Sequence, residues 1–380
     1  YPKIPLAQSI IEICSAKGIT NIIISPGSRN APLTIGFAQN SNFNCYSIAD
    51  ERCAAFFALG IAQQTKFPTA IVCTSGSALL NYYPAVAEAF YSQVPLIVIS
   101  ADRPQNKIDI GDGQTIRQQN VYENHSVFNA NLTEEASEEN DLKINKAIET
   151  AILQKGPVHI NAPFEEPLYE TVEILSVQSK ITNAEEIIAS KIIENVEDFV
   201  SIWNSAKRKL VLVGVNEANS IDEKIIENLV KDPSIVVLTE TTSNLHHPSF
   251  INSIDTLITP FDDIDFKEFE PEILVTFGGM VVSKRIKGFL RKYKPLHHWH
   301  VDTLRAYDTF NALTKHFVMQ PNDFFNDLLS KTVFVKSDYF KQINKIYELR
   351  KIKKQKYLDK IPFSDFKVFE KVIGSLPKNS

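Results

Sequence analysis

The 380-residue chain lacks the features that mark membrane, secreted and nucleic-acid-binding proteins. No apolar run approaches the roughly 18 residues of a membrane-spanning helix, and Tyr-Pro-Lys does not open a secretory signal peptide. No block of lysine and arginine suggests a membrane surface, and the formal net charge of −5 gives no reason to expect nucleic acid. We therefore expect a cytoplasmic protein that binds neither nucleic acid nor membrane.

Cysteine is scarce, and its placement argues against both disulfides and metal sites. The four cysteines, Cys14, Cys45, Cys53 and Cys73, all lie in the first quarter of the chain. Each belongs to an apolar strand or helix pattern and not to a metal-ligand spacing. This predicts reduced, buried thiols.

Short apolar segments that predict β-strands alternate along the chain with segments in which apolar residues recur at helical spacing. The strands are continuous apolar runs, which is typical of parallel sheets covered on both faces. The sequence therefore predicts an α/β protein with two doubly wound, mainly parallel sheets. Strands are expected near residues 22–24, 45–48, 69–74, 96–100, 158–162, 210–214, 235–238, 273–277 and 298–301, and helices near 6–17, 31–38, 53–63, 78–92, 142–154, 323–329, 339–360 and 365–376.

The hydrophobicity thins between residues 165 and 197, which predicts a linker or crossover between two α/β units. Near the other end, Pro362 interrupts the chain and Ser364 precedes an amphipathic segment, Asp365 to Leu376. Ser364 is expected to cap this helix. A helix that opens a unit four residues before the sequence stops predicts a truncated third domain.

The segment Ile22–Ile24 is followed by Ser25-Pro26-Gly27-Ser28-Arg29, and a proline then opens a helical pattern. Strand, tight turn and helix start form the ligand sites of many α/β proteins, at the carboxyl ends of strands. Pro26 stiffens such a turn, and Gly27 allows backbone to come close to a ligand. An ordinary turn with a surface arginine explains this stretch equally well by itself.

Glu51 begins a helix in an otherwise small and apolar neighbourhood. One interpretation is structural: Asp50 caps the helix and Glu51 complements its dipole. The functional interpretation requires a carboxyl that apolar neighbours partly withdraw from water, so that it can share a proton. The sequence around Glu51 leaves both open.

Polar residues follow several predicted strands: Ser28 and Arg29, Glu51, Ser75 and Gly76, and Asp102 and Arg103. The carboxyl ends of parallel strands gather at one edge, so these residues should converge. Two of them are arginines, whose planar guanidinium groups suit carboxylates. The pattern favours an anionic ligand.

Two patterns that imitate metal or nucleotide sites are rejected. Gly111-Asp112-Gly113 with Asn140 has the spacing of a magnesium-diphosphate signature, but no strong strand precedes it and Asn140 lies in a charged, solvated segment. His297, His298 and His300 alternate along a predicted strand, so at most two share a face. No Gly-x-Gly-x-x-Gly follows a predicted strand, which argues against a nicotinamide cofactor.

A series of motifs, in this order, resembles one family closely. In the first unit the motifs lie at residues 24–33, 50–52, 74–78, 81–85, 101–104 and 111–118. In the second unit they are Phe277-Gly278-Gly279 and Ser283-Lys284-Arg285. Together they resemble the 2-succinyl-5-enolpyruvyl-6-hydroxy-3-cyclohexene-1-carboxylate synthases of menaquinone biosynthesis. These are thiamin-diphosphate enzymes. The resemblance implies a pyrimidine-binding domain at 1–180, a central domain at 181–360 and the start of a truncated diphosphate-binding domain at 361–380.

The resemblance also implies roles for individual residues. Glu51 would be catalytic, by hydrogen-bonding a ring nitrogen of the cofactor's aminopyrimidine. The implied cofactor-binding residues are Pro26, Gly27, Glu51, Ser75 and Asn81. The implied substrate-binding residues, for 2-oxoglutarate and isochorismate, are Ser28, Arg29, Arg103, Gln114, Lys284 and Arg285.

Departures from the family pattern limit what carries over. Gly113 stands where many relatives have Asn, so the role of that Asn in the family is not transferred to this sequence. Thiamin diphosphate and Mg²⁺ would both need the third domain, so the sequence predicts no metal ligands and an inactive fragment.

The family also implies a homodimer or homotetramer. The alternatives are another thiamin enzyme, of the 2-oxo-acid decarboxylase or acetolactate synthase kind, and a non-catalytic anion- or nucleotide-binding regulator.

Overall fold

The computed structural model describes residues 1–183 and 192–377. The chain divides into two compact units at residues 187 and 188, and each unit is described by itself below. Residues 184–191 of the expected linker and residues 378–380 of the expected last segment lie outside the described residues. Among the described helices, none combines the length and the apolar character that crossing a membrane requires.

The first unit is built on a six-stranded sheet with the spatial order β2-β1-β3-β4-β6-β5, in which every pair of neighbours is parallel. Its strands are β1 Asn21–Ile24, β2 Asn44–Ser47, β3 Thr69–Cys73, β4 Leu96–Asp102, β5 Phe128–Asn131 and β6 Val158–Pro163. Its helices are α1 Pro5–Ala16, α2 Ala31–Ala38, α3 Glu51–Thr65, α4 Ala78–Asn81, α5 Tyr83–Ser92 and α6 Glu138–Gln154, with 3₁₀ turns at Gln105–Lys107 and Glu123–His125.

This sheet is covered by helices on both faces, as its continuous apolar strands predict. Successive strand residues point to opposite faces, so Ile22 and Ile24 pack with α1, α2 and α6 while Ile23 packs with α3 and α5. Both faces of β3 and β4 are fully buried. Polar groups are therefore concentrated at the strand ends, where the site lies.

The second unit has a parallel five-stranded sheet in the order β11-β10-β9-β7-β8. Its strands are β7 Lys209–Val213, β8 Ile235–Leu238, β9 Ile273–Phe277, β10 His297–Val301 and β11 Leu313–Phe317. Its helices are α7 Val196–Ser205, α8 Glu223–Lys231, α9 Ile254–Ile258, α10 Asp263–Phe269, α11 Lys284–Lys292, α12 Pro321–Leu329, α13 Tyr339–Lys360 and α14 Asp365–Ser375, with a 3₁₀ turn at Thr241–Ser243. Val211 and Val213 face one apolar cluster, and Leu210 and Leu212 face another. The predicted α/β class with two doubly wound parallel sheets is confirmed.

The helix expected over residues 78–92 is two helices, which meet at Tyr82 and Tyr83. Pro84 is in the first turn of α5, where its missing N–H costs least. The edge strands β5 and β11 were not predicted, because their sequences, Phe-Asn-Ala-Asn and Leu-Thr-Lys-His-Phe, carry few apolar residues. An edge strand that is only partly buried gives a weak apolar signal.

Three local expectations were wrong. Cys14 and Cys73 are buried, but Cys45 and Cys53 are exposed, since β2 is an exposed edge strand and Cys53 lies on the outer face of α3. Ser364 occupies the N-cap position of α14, but its side chain makes no capping hydrogen bond. Asn140 does not lie in a solvated segment, because it is in the first turn of α6 and is fully buried.

The segment that follows β6 is tied to the first unit as far as the described residues extend. Ser176 and Ser179 hydrogen-bond to Gln8 and Glu12 of α1. The backbone N–H of Lys180 donates to Asp141 of α6. This part of the expected linker therefore packs on α1 and α6.

Candidate active site

The turn after β1 approaches the end of β3 so closely that only glycine fits at residue 27. A Cβ atom on Gly27 would lie 2.4 Å from Cβ of Thr74. The backbone N–H of Arg29 also donates to Oγ1 of Thr74 at 3.3 Å. The close approach at Gly27 is thus made to Thr74, and it places Ser28 and Arg29 above the strand ends. Pro26 and Ser28 are exposed.

Arg29 is a buried cation at this edge, with only 4% of its surface exposed. Its Nη1 donates to the carbonyl oxygen of Phe164 at 2.9 Å, and its Nη2 donates to Oε1 of Glu166 at 3.1 Å. Its Nε is buried and makes no hydrogen bond to the described residues. Burial, and then the nearby charge of Arg103, lower the pKa of Arg29, while Glu166 opposes this effect. The guanidinium therefore has a fixed position and an open donor.

Arg103 follows β4 and meets the same glutamate. Its Nη1 is 4.0 Å from Oε1 of Glu166 and 3.9 Å from Oδ2 of Asp112. Its Nη2 donates to the carbonyl oxygen of Gly113 at 3.1 Å, and its buried Nε makes no hydrogen bond among the described residues. The structure thus brings Arg29 and Arg103 together around Glu166, which follows β6 and which the sequence analysis missed. The strand-end rule applied to β6 would have found it.

The turn after β3 is joined to the loop at residues 111–119. Oγ of Ser75 donates to the carbonyl oxygen of Gln114 at 3.1 Å, and the N–H of Gly76 donates to Oε1 of Gln118 at 2.8 Å. Gly76 has φ +86°, a left-handed conformation that favours glycine, and a Cβ there would lie 3.0 Å from the Gln114 carbonyl oxygen. Gln114 is exposed at this loop.

A buried polar network extends this connection to the end of β4. Nε2 of Gln118 donates to Oδ1 of Asn161 at 2.9 Å, and Nδ2 of Asn161 donates to Oδ2 of Asp102 at 2.8 Å. Oγ of Ser100 also contacts Asn161, and it contacts Nε2 of His159 at 2.7 Å. Burial raises the pKa of Asp102 and lowers the pKa of His159 to about 3. The network fixes the backbone that carries Arg103 and was not found from the sequence.

Glu51 is the first residue of α3 and is half-buried. Asp50 caps this helix, because its Oδ1 accepts from the N–H groups of Arg52 at 2.9 Å and Cys53 at 3.2 Å. Oε2 of Glu51 accepts from Nδ2 of Asn81, in α4, at 3.5 Å. Asp50 therefore accepts hydrogen bonds from the N–H groups at the start of α3, and Glu51 contacts Asn81 instead.

Lys284 and Arg285 lie in the second unit, in the first turn of α11, and both are exposed. Two cations at a helix N-terminus oppose the helix dipole. Their loop is held by Glu240, whose carboxylate accepts from the N–H groups of Val282 at 2.7 Å and Ser283 at 2.6 Å. Glu240 is a further residue that the sequence analysis missed, since it follows β8 without a recognisable motif.

The two patterns that imitate metal sites have other contacts. The Asn140 amide binds the backbone of Thr133 and Glu135. His298 and His300 share a face of β10, and both contact Oγ1 of Thr276, at 2.9 and 2.8 Å. In residues 1–183 and 192–377, no three or more His, Cys, Asp or Glu side chains form a group that could hold a metal ion.

The residues of the first unit fit the pyrimidine part of thiamin diphosphate in their chemistry. Glu51 offers a half-buried carboxylate acceptor, and Asn81 offers an amide beside it. An aminopyrimidine presents ring nitrogens and an exocyclic amine, which such groups can bind. The donor and acceptor set at the start of α3 is therefore compatible with that ring.

Comparisons with known proteins agree with this chemistry. Residues 4–126 match the family model described as thiamine pyrophosphate enzyme, N-terminal TPP binding domain. The chain is 83% identical, over its whole length and 69% of the relative's, to the 2-succinyl-5-enolpyruvyl-6-hydroxy-3-cyclohexene-1-carboxylate synthase of Flavobacterium johnsoniae. Proteins of the same name from Flavobacterium psychrophilum and Christiangramia forsetii are 64% and 49% identical, over 99% and 100% of this chain and 68% and 70% of their own lengths.

Proposed function

This chain belongs to the family of 2-succinyl-5-enolpyruvyl-6-hydroxy-3-cyclohexene-1-carboxylate synthases, and we propose that it carries out the reaction of that family. The enzyme decarboxylates 2-oxoglutarate with the help of thiamin diphosphate. It adds the remaining succinyl unit to isochorismate, as a step of menaquinone biosynthesis. In this proposal the first unit, residues 1–187, contains the pyrimidine-binding domain and the second unit, residues 188–380, contains the central domain; the sequence-based bounds of these domains, 1–180 and 181–360, stay predictions.

The convergence of Arg29 and Arg103 on Glu166 is the observation that carries this proposal. Both guanidinium groups lie at the carboxyl edge of one parallel sheet, and each keeps a buried Nε without a hydrogen bond to the described residues. Both substrates are dicarboxylates, which paired arginines bind through two-point hydrogen bonds. Enzymes that act on small monocarboxylic 2-oxo acids have less use for two such groups.

Glu51 is the catalytic residue in this proposal. Thiamin diphosphate, when bound, supplies the electron sink that stabilises the carbanion left by decarboxylation. The Glu51 carboxylate holds a proton at a ring nitrogen of the aminopyrimidine, and Asn81 orients that carboxylate through its amide. Pro26, Gly27 and Ser75 form the turns that place the cofactor beside Glu51. Glu51 is half-buried, so its side chain is partly withdrawn from water.

Further residues of each unit have substrate-binding roles in this proposal. Arg29 and Arg103 bind substrate carboxylates, and Ser28 and Gln114 donate hydrogen bonds from the exposed side of the same edge. Lys284 and Arg285 bind a further carboxylate, in agreement with two exposed cations placed against a helix dipole.

The proposal includes Mg²⁺ and a homo-oligomer. Mg²⁺, which prefers oxygen ligands, would help to hold the diphosphate of the cofactor, and no group of three or more His, Cys, Asp or Glu side chains in residues 1–183 and 192–377 could hold it. Exposed apolar side chains on β2, α3 and α4 support association with a second copy, because patches of this kind are typical of interfaces. These side chains are Tyr46, Phe56, Phe57 and Leu80.

The test is product formation by the full-length protein from 2-oxoglutarate and isochorismate, with and without thiamin diphosphate and Mg²⁺. We expect thiamin-dependent formation of the succinylated cyclohexene carboxylate and little reaction with pyruvate. Efficient use of pyruvate would instead favour an acetolactate-synthase-like enzyme. No thiamin-dependent reaction with any 2-oxo acid would favour a binding protein.

A further inference from the structure

Glu166 is a carboxylate of the protein itself at the position where substrate carboxylates are proposed to bind. It follows β6, and its Oε1 is 3.1 Å from Nη2 of Arg29 and 4.0 Å from Nη1 of Arg103. Glu165, immediately before it, pairs instead with Lys107 at 2.7 Å. Of these two adjacent glutamates, only Glu166 makes an ion pair with the arginines.

The charges around the arginines balance while Glu166 is in place. Arg29 and Arg103 contribute two positive charges, and Glu166 and Asp112 contribute two negative ones within 4.0 Å of a guanidinium nitrogen. Asp102 is a further, buried carboxyl at this edge: burial raises its pKa, and the charge of Arg29 partly opposes this effect. A dicarboxylate that approaches Arg29 and Arg103 is therefore not attracted by an excess of positive charge. Removal of Glu166 takes away one of the negative charges that face Arg29 and Arg103.

The two arginines differ from Glu166 in how firmly they are held. Arg29 is 4% exposed and is anchored through Nη1 to the Phe164 carbonyl, and Arg103 is anchored through Nη2 to the Gly113 carbonyl. The Glu166 side chain is 64% exposed and makes one hydrogen bond to Arg29. Water reaches the carboxylate of this ion pair even though Arg29 is buried, so little desolvation holds Glu166 in place. Glu166 can therefore move into solvent while both guanidinium groups stay in place.

We infer that Glu166 is an internal competitor for the substrate carboxylate: it occupies the arginine pair in the free enzyme and leaves when a dicarboxylate binds. The inference rests on the proposed function for the identity of the ligand. An incoming carboxylate takes over Nη2 of Arg29 and gains the buried Nε groups, which make no hydrogen bond in the described structure. Glu166 thereby lowers the affinity of the site for a dicarboxylate. In the free enzyme its negative charge reduces the repulsion between Arg29 and Arg103.

The test is calorimetric titration of the protein with 2-oxoglutarate in the absence of thiamin diphosphate, so that no turnover occurs. Glu166→Gln is compared with the wild type and with Glu165→Gln, a matched control that removes the same charge one residue earlier. We expect Glu166→Gln to lower the dissociation constant about two- to five-fold, the scale of an ion pair whose carboxylate is solvated. Glu165→Gln should leave it within error of the wild type.

Each other result overturns the inference. An unchanged dissociation constant would mean that Glu166 does not compete, and a raised one would mean that it supports binding. An equal effect of Glu165→Gln would reveal only a general charge effect, and no binding by any variant would remove the site. Arg29→Lys combined with Glu166→Gln should abolish the gain, because the contested donor is then missing.

The same experiment separates this inference from the proposed function. If Glu166→Gln binds 2-oxoglutarate more tightly but the wild type forms no product with isochorismate, the competitor role holds and the synthase assignment fails. If the wild type is an active synthase and the affinity does not respond to Glu166→Gln, the synthase assignment holds and the competitor role fails.

Discussion

The backbone N–H of Gly76 donates a 2.8 Å hydrogen bond to the Oε1 atom of Gln118, 42 residues later in the chain. The other end of the same amide donates to Asn161 and to the Ala101 carbonyl. Gln118 is 1% exposed. One side chain therefore joins the turn after β3, the loop that carries Gln114, and the end of β4 that carries Arg103.

Gln118→Met should destabilise the first unit, because methionine cannot form the hydrogen bonds that the Gln118 amide forms. Its similar volume keeps the packing nearly unchanged. Buried groups left unpaired cost about 1–3 kcal/mol each. We expect the free energy of unfolding to fall by at least about that amount in urea titrations followed by circular dichroism. Gln119→Met is the control, since Gln119 is exposed and makes only a 3.3 Å contact with Gln105. Equal stability of the two variants would refute the role of the network.

Arg103→Lys should impair use of the dicarboxylate substrates, because an ammonium group cannot reproduce a two-point contact. The expected loss is roughly 1.5–3 kcal/mol, the value of a charge-assisted hydrogen bond, which corresponds to about 10- to 150-fold in kcat/KM. Arg117→Lys is the matched control, because Arg117 forms an exposed ion pair with Asp109. Unchanged kinetic constants for 2-oxoglutarate and isochorismate would remove Arg103 from the site.

Glu240→Gln should loosen the loop before α11, because an amide nitrogen cannot accept the hydrogen bond that one carboxylate oxygen now accepts. Loss of a hydrogen bond to a charged group is expected to cost about 1.5–3 kcal/mol. Trp203 and Trp299 both lie in the second unit and are buried, so tryptophan fluorescence follows its unfolding. The exposed Glu268→Gln variant should unfold like the wild type. A stability of Glu240→Gln equal to this control would contradict the role of Glu240.

His159 should make the stability of the first unit depend on pH. Burial lowers its pKa from 6.5 to about 3, so the unfolded chain binds a proton below pH 6.5 that the folded chain does not bind. The free energy of unfolding therefore falls as the pH drops from 6.5 toward 3, by about 1.4 kcal/mol per pH unit from this group. His159→Gln should remove that slope, whereas the exposed His246→Gln should keep it. Equal slopes in the two variants would show that His159 does not contribute.

The sequence predicted the sheet and its edge because both follow from local patterns. The runs Ile22–Ile24 and Leu96–Ile99 are apolar at every position, so they indicated strands buried on both faces, and the strand-end rule then indicated that Arg29 and Arg103 would converge. Cys45 was misplaced because its exposure depends on β2 being the edge of the sheet. That is a property of strand order, which no local pattern carries.

The strand-end rule brings Glu166 to the edge that carries the arginines, but its pairing with Arg29 and the contacts of Gln118 depend on more than a local pattern. Arg29 reaches the carbonyl of Phe164, 135 residues away, across the ends of the intervening strands. Gln118 meets Asn161, 43 residues away, only because β4 and β6 are neighbours. Such pairings depend on tertiary geometry, and the thin hydrophobicity after β6 made Glu166 resemble part of a linker.

The most direct test of the account is turnover by Glu51→Gln in the full-length protein, at saturating thiamin diphosphate and Mg²⁺. If Glu51 assists proton transfer at the cofactor, the rate should fall by at least about 100-fold, with only the small change in stability expected for a charge at a helix start. Glu88→Gln, an exposed change on α5, should retain the wild-type rate. Near-normal turnover by Glu51→Gln would contradict the account and leave Glu51 as a residue that merely complements the dipole of α3.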